Sequence, residues 1–199
     1  MKSDSIAFAA AGVLFGLIAG WIIGSQQAGL RIAPTPAPPS AAAAGQPAAP
    51  GLDEAQVSSY KSAADREPSN AGPRVQLANL YFDAERYSDA ITWYGEALKL
   101  QPNNVDVSTD LGVSYYYTNQ SDRALEQFTR SLALDPKHAK TILNVGIVKA
   151  FGKQDLEGAE AAWQQVLQLA PESPEGQAAR RALDSLRSAH PGGAPKPGV

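Results

Sequence analysis

The chain holds two histidines and no cysteine, so acid–base chemistry near neutral pH would fall to His138 and His190, and thiolate catalysis, disulfides and thiolate metal sites are excluded. Neither histidine stands in a Ser, Asp or Glu spacing that builds a nucleophile–base pair or a metal cage, and both read as solvated side chains. The acidic pair Asp53-Glu54 reads as the first turn of a helix, where negative charge meets the positive end of the macrodipole, and Ser88-Asp89, Ser121-Asp122 and Asp155 read as helix caps. No catalytic residue, metal ligand or cofactor site is therefore assigned, and the chain is expected not to be an enzyme. With 17 Lys and Arg against 20 Asp and Glu, a formal charge of -3, and basic residues scattered rather than striped, nucleic acid is an unsupported partner. Binding chemistry is better represented, by the run Tyr115-Tyr116-Tyr117.

The elements that position these residues are set by a ruler of prolines. Pro68, Pro102 and Pro136 stand 34 residues apart and Pro171 follows 35 further on. A fixed period of this size signals stacked supersecondary units, and each proline ends a helix because it pushes the preceding residue out of the α region. Within each period small residues, Ala78, Gly112 and Gly146, answer Ala90, Ala124 and Ala159, so paired helices approach closely. Tyr81, Tyr94, Tyr115, Phe128 and Trp163 fill what remains and are read as core.

Leu111-Gly112-x-x-Tyr115, Ala124-x-x-x-Phe128 and Pro136 repeat as Leu77-Ala78-x-x-Tyr81, Ala90-x-x-x-Tyr94 and Pro102, and as Val145-Gly146, Ala159-x-x-x-Trp163 and Pro171. In these residues the chain resembles the tetratricopeptide repeat (TPR) family, over roughly 71 to 171. The resemblance implies an all-α solenoid of helix-turn-helix units, about 71–104, 105–138 and 139–172, within a domain spanning 52–189. Flanking helices are expected at 52–67 and at 173–189, the latter a solubilising cap with Ala178, Ala182, Leu183 and Leu186 on its inner face. The third unit departs from the pattern: Lys149 replaces the tyrosine of its neighbours, and one extra residue within 151–158 predicts a looser turn.

In TPR proteins a concave face lined by the first helix of each unit holds peptides. The resemblance places Val75, Asn79, Phe82, Thr109, Val113, Tyr116, Tyr117, Lys140, Leu143, Asn144 and Ile147 there, a mostly apolar groove with aromatic walls. Tyr116 and Tyr117 either face a partner or are exposed rings that bind nothing. Chaperone-binding TPR domains clamp a terminal carboxylate with Lys and Asn. Asn79 and Lys140 match such positions, whereas Val75 and Asp110 do not, so that clamp is not expected.

Residues 6–24 form an uncharged run of 19 that is long enough for a bilayer core of about 30 Å, following a short cytoplasmic N-terminus, 1–5. A single-pass anchor is expected, with a cleaved signal peptide as the alternative. Gly12, Gly16, Gly20 and Gly24 draw one stripe on that helix, a face for a second helix from another protein or a homodimer. Lys2 before the span and Arg31 after it favour a cytoplasmic N-terminus, hence repeats on the periplasmic side of a bacterial inner membrane. The Pro/Ala-rich linker, 25–51, is expected to extend about 50 Å, and the tail, 190–199, to lack a fold. The resulting expectation is a membrane-tethered TPR adaptor for a protein or peptide partner, as in bacterial TPR proteins of cytochrome c maturation, secretion or envelope assembly. The alternative is a structural subunit of an integral membrane complex docked through its glycine-lined helix.

Overall fold

The computed structural model describes residues 51–189, and all regular structure within them is helical. The anchor, most of the linker, the glycine stripe and the tail lie outside the described residues. Among the described residues no helix is long and apolar enough to cross a membrane.

Among the described residues eight α-helices follow one another: α1 (Glu54–Arg66), α2 (Gly72–Asp83), α3 (Tyr87–Leu100), α4 (Val105–Tyr117), α5 (Ser121–Leu134), α6 (Ala139–Ile147), α7 (Leu156–Leu169) and α8 (Pro174–Ala189), with a π-helical turn, Val148–Gly152, after α6. Each helix packs on the next, and the first helices of successive pairs also touch, α4 on α6 and α6 on α8. This one-dimensional stacking distributes the core along the chain. Val57, Leu77, Ala78, Tyr81, Ala90 and Tyr94 form one buried cluster, while Ala124, Phe128 and Val148 form another.

The proline ruler works at the ends of α1, α3, α5 and α7. Their C-caps are Glu67, Gln101, Asp135 and Ala170, each immediately before a proline of the series. The helix stops because the residue preceding proline cannot stay in the α region. At the helix starts, Asp53 accepts amide hydrogens from Ala55 and Gln56, Asn104 from Val107, and Asp155 from Gly158. Two predicted caps do not form. The N-caps of α3 and α5 are Arg86 and Gln120, neither with a side-chain cap, while Asp89 accepts from Arg86 Nε at 2.8 Å and Asp122 binds Lys153 at 2.7 Å. These carboxylates, in the first turn of their helices, find cations instead of backbone amides.

Helix pairs close on their small residues. A Cβ built on Gly112 would lie 2.7 Å from Phe128 Cδ1, and one on Gly146 would lie 2.6 Å from Trp163 Cδ1, closer than real Cβ atoms come. Both rings are fully buried. The indole Nε1 of Trp163 donates to the Leu143 carbonyl at 3.2 Å, which fixes the ring over the glycine.

The turn inside each pair is reversed by one residue with positive φ, Glu85 (56°), Asn119 (60°) or Gln154 (58°). The amide of Arg86 then donates to the Tyr81 carbonyl at 2.8 Å and that of Gln120 to Tyr115 at 2.9 Å, satisfying the orphan carbonyls of a helix end. In the third pair the amide of Asp155 reaches Lys149 at 2.8 Å, one residue further along the chain. The extra residue is thus absorbed in a widened turn that begins at Val148, upstream of the predicted 151–158, and is closed by its own bonds.

Candidate partner-binding groove

The first helices α2, α4 and α6 bring their free faces into one surface. Val75, Asn79, Phe82, Val113, Tyr116, Tyr117 and Lys140 are partly exposed on it. Thr109 (0%), Leu143 (2%), Asn144 (6%) and Ile147 (6%), predicted to line the same surface, are buried. The reason is that α4 packs on α6 and α6 on α8, so residues turned toward the next first helix are covered by it. Thr109 Oγ1 lies 2.6 Å from Thr141 Oγ1 across that seam, and Asn144 Nδ2 donates to the Lys140 carbonyl at 2.8 Å.

Polar groups occupy the middle of the surface. The Tyr94 hydroxyl, reaching through from α3, donates to Asn79 Oδ1 at 2.7 Å. Lys140 Nζ pairs with Asp110 Oδ1 at 2.7 Å, with side chains 21% and 27% exposed. Burial raises the Asp110 carboxyl above the ordinary carboxylate range, with Lys140 opposing that shift. Asp83 at the end of α2 is also raised, by burial and then by the charge of Asp110. Burial, followed by the charges of Asp110 and Asp83, pushes the Tyr94 hydroxyl upward. These three groups therefore share one electrostatic neighbourhood.

Aromatic rings close the end nearest the turns. Tyr87 and Tyr117 stack with centroids 4.4 Å apart at 10°, and Phe82 meets both edge-on at 5.2 and 5.9 Å. Tyr116 lies 5.9 Å from Tyr117 and packs toward Val148 and Phe128. Burial raises Tyr116 and Tyr117 to about 12, so both stay protonated and can donate. Tyr87 was not foreseen. It begins the second helix of its pair, and an aromatic at that place has no counterpart in the other pairs, where Ser121 and Leu156 begin α5 and α7.

His138 is not the solvated residue its sequence position suggests. Its Nδ1 lies 2.7 Å from Thr141 Oγ1 and its Nε2 3.3 Å from Asp106 Oδ1. The alignment Asp–His–Thr has the order of a nucleophile relay, yet Thr141 is 0% exposed and its hydroxyl is shared with Thr109. A substrate cannot reach it. The set joins the first helices of neighbouring pairs, and no group of three or more His, Cys, Asp or Glu among the described residues could hold a metal.

Residues 78–117 match a family described as TPR repeat, and residues 109–174 one described as tetratricopeptide repeat. The described helices form a TPR solenoid. The fold resembles the first TPR of Spaghetti (RPAP3) solved bound to the HSP90 peptide SRMEEVD, at TM-score 0.54 and 25% identity over 60% of this chain and 91% of that one. The first TPR domain of human RPAP3 gives TM-score 0.55 and 25% identity, covering 61% and 93%. The MamA crystal structure shares the fold at TM-score 0.55 and 16% identity, covering 66% and 85%. No curated protein matches the chain. In TPR terms α2–α3, α4–α5 and α6–α7 are the three repeats, α8 is the closing helix, and the surface described above is the concave groove.

Proposed function

We propose that this chain is an adaptor that holds a protein or peptide partner in its TPR groove while residues 6–24 tether it to a membrane. The observation that carries the binding reading is the partly exposed surface of α2, α4 and α6, where Val75, Phe82 and Val113 flank polar groups held by Tyr94 and Asp110. Apolar contact with a few convergent polar groups suits an extended segment. The similar RPAP3 domain bound to a peptide supports such a use. The tether rests on the uncharged run of 19 residues, and on this reading the repeats stand on the periplasmic side of a bacterial inner membrane. Tethering raises the local concentration of the domain, so a micromolar contact suffices once the partner is at the same membrane. Cytochrome c maturation, secretion and envelope assembly are the settings that match this architecture.

A second reading rests on Gly12, Gly16, Gly20 and Gly24, which would seat the anchor against another membrane helix and make the chain a structural subunit. Photo-crosslinking in intact membranes separates the two. A benzoylphenylalanine at Val113 should capture a partner that the same probe at Arg130, exposed on α5, does not. Capture by that probe that survives Val75→Glu, on the same surface, but is lost on Gly16→Leu supports the structural subunit instead.

A further inference from the structure

The groove is acidic where a carboxylate-binding groove would be cationic. Asp83, Asp106 and Asp110 stand on α2 and α4, and the ammonium that faces them, Lys140 on α6, is already within 2.7 Å of Asp110 Oδ1. Asn79, the other position that matches a carboxylate clamp, spends its oxygen on the Tyr94 hydroxyl. The Asp83 carboxylate makes no hydrogen bond or ion pair among the described residues. Asp106, 73% exposed, meets His138, which is charged only when protonated.

We propose that the occupant of the groove is a cationic peptide segment, with one Lys or Arg side chain seated between Asp83 and Asp110 and a neighbouring apolar side chain against Phe82 and Val113. The inference rests on the adaptor reading and deepens it by stating the partner's charge. Both carboxylates are partly covered, the Asp110 side chain being 27% exposed; burial raises both, the charge of Asp110 adds to the rise at Asp83, and Lys140 opposes it at Asp110. A guanidinium or ammonium relieves both, whereas an acidic segment or a terminal carboxylate adds a further like charge and finds Lys140 engaged. Arg also stacks on the Phe82–Tyr117 rings at the same end of the groove. This preference is opposite to the charge of SRMEEVD, the peptide held by the similar RPAP3 domain.

The test is a selection from a displayed random peptide library on the full chain in detergent, followed by affinity measurements on the selected peptides, with SRMEEVD as the acidic probe. The expected result is a Lys or Arg at one fixed position, affinity at least about tenfold above that of SRMEEVD, and loss of about tenfold on Asp83→Asn with retention on Asp83→Glu. Thermal melting confirms that both variants are folded. Peptides that depend on Val113 but are acidic, or basic peptides indifferent to Asp83→Asn, overturn the charge preference and leave the groove reading standing. If no selected peptide weakens on Val113→Glu, the groove reading and this inference fall together.

Discussion

The second and third repeats solve the same turn by different means. In the second, Tyr115 plugs the end of α4, and the guanidinium of Arg123 lies 4.1 Å from the ring centroid and donates to its hydroxyl at 2.9 Å. In the third, Lys149 stands at that place, pairs with Asp155 Oδ2 at 3.3 Å, and the same Asp155 caps α7 through Gly158 at 2.8 Å. An aromatic plug held by a cation has been exchanged for an ion pair that doubles as a cap. The exchange is tolerated because the contact that sets helix spacing, glycine against ring, is kept in both repeats, Gly112 on Phe128 and Gly146 on Trp163, although in the third the extra residue lies between the two partners. A solenoid therefore accepts a length change at a turn more readily than a methyl group at a seam.

The largest effect should come from filling the seam. Gly146→Ala forces the Trp163 indole off its Leu143 hydrogen bond, and after the gain in helix propensity a net loss of about 2 kcal/mol is expected. Gly112→Ala should cost about 1 to 2 kcal/mol by the same mechanism, since the Phe128 ring has no hydrogen bond to lose. Urea unfolding of the full chain measures both, and a neutral Gly146→Ala would mean that the seam relaxes freely.

Next in size, Asp155→Ala should destabilise the third repeat, and Asp155→Asn should restore the cap without the ion pair. The Gly158 amide and then Lys149 hold this carboxyl below 3.8, its ordinary value. Its contribution is therefore present above that pH and lost as pH falls through the lower folded-state value, so Asp155→Ala and the parent should converge in acid melts.

Turn substitutions sharpen the contrast from the other side. Glu85→Gly and Gln154→Gly remove a side chain from the left-handed region and should each gain about 0.5 to 1 kcal/mol, while Asn119→Gly should gain less because Asn tolerates that region. Equal gains at all three positions would argue against side-chain strain.

Smallest is Asp83→Asn, which should gain no more than about 0.5 kcal/mol at neutral pH after allowance for solvent screening. A raised carboxyl penalises folding fully above its folded-state pKa, and the penalty vanishes as pH falls below the unfolded value, 3.8. The gain should thus disappear in acid, as melting at pH 7 and pH 3 would register.

Much of the scaffold was legible because a repeat writes its geometry into local spacing. Prolines marked the ends of α1, α3, α5 and α7, and small residues marked the seams. The insertion was also legible as a 35-residue interval, although a count of residues could not say that a π-helical turn at Val148–Gly152 would absorb it. The groove was legible in part. Thr109 and Leu143 occupy groove-like positions along their helices, and their burial depends on how neighbouring first helices touch. The pairs that shape the site join Asp110 to Lys140, Asp106 to His138 and Thr109 to Thr141, at separations of 30 and 32 rather than 34. A signal existed in principle: neighbouring first helices meet about half a turn to one turn before the equivalent residue, so complementary residues at those offsets could have been sought.

Methyl NMR of Val- and Leu-labelled full chain, titrated with the captured partner, decides whether the concave face is the working surface. A partner in the groove should shift Val75 and Val113 and leave unshifted Leu134 and Leu169, which are 43% and 37% exposed at the ends of second helices. Shifts confined to Leu134 and Leu169 would contradict it and move the partner to the opposite face.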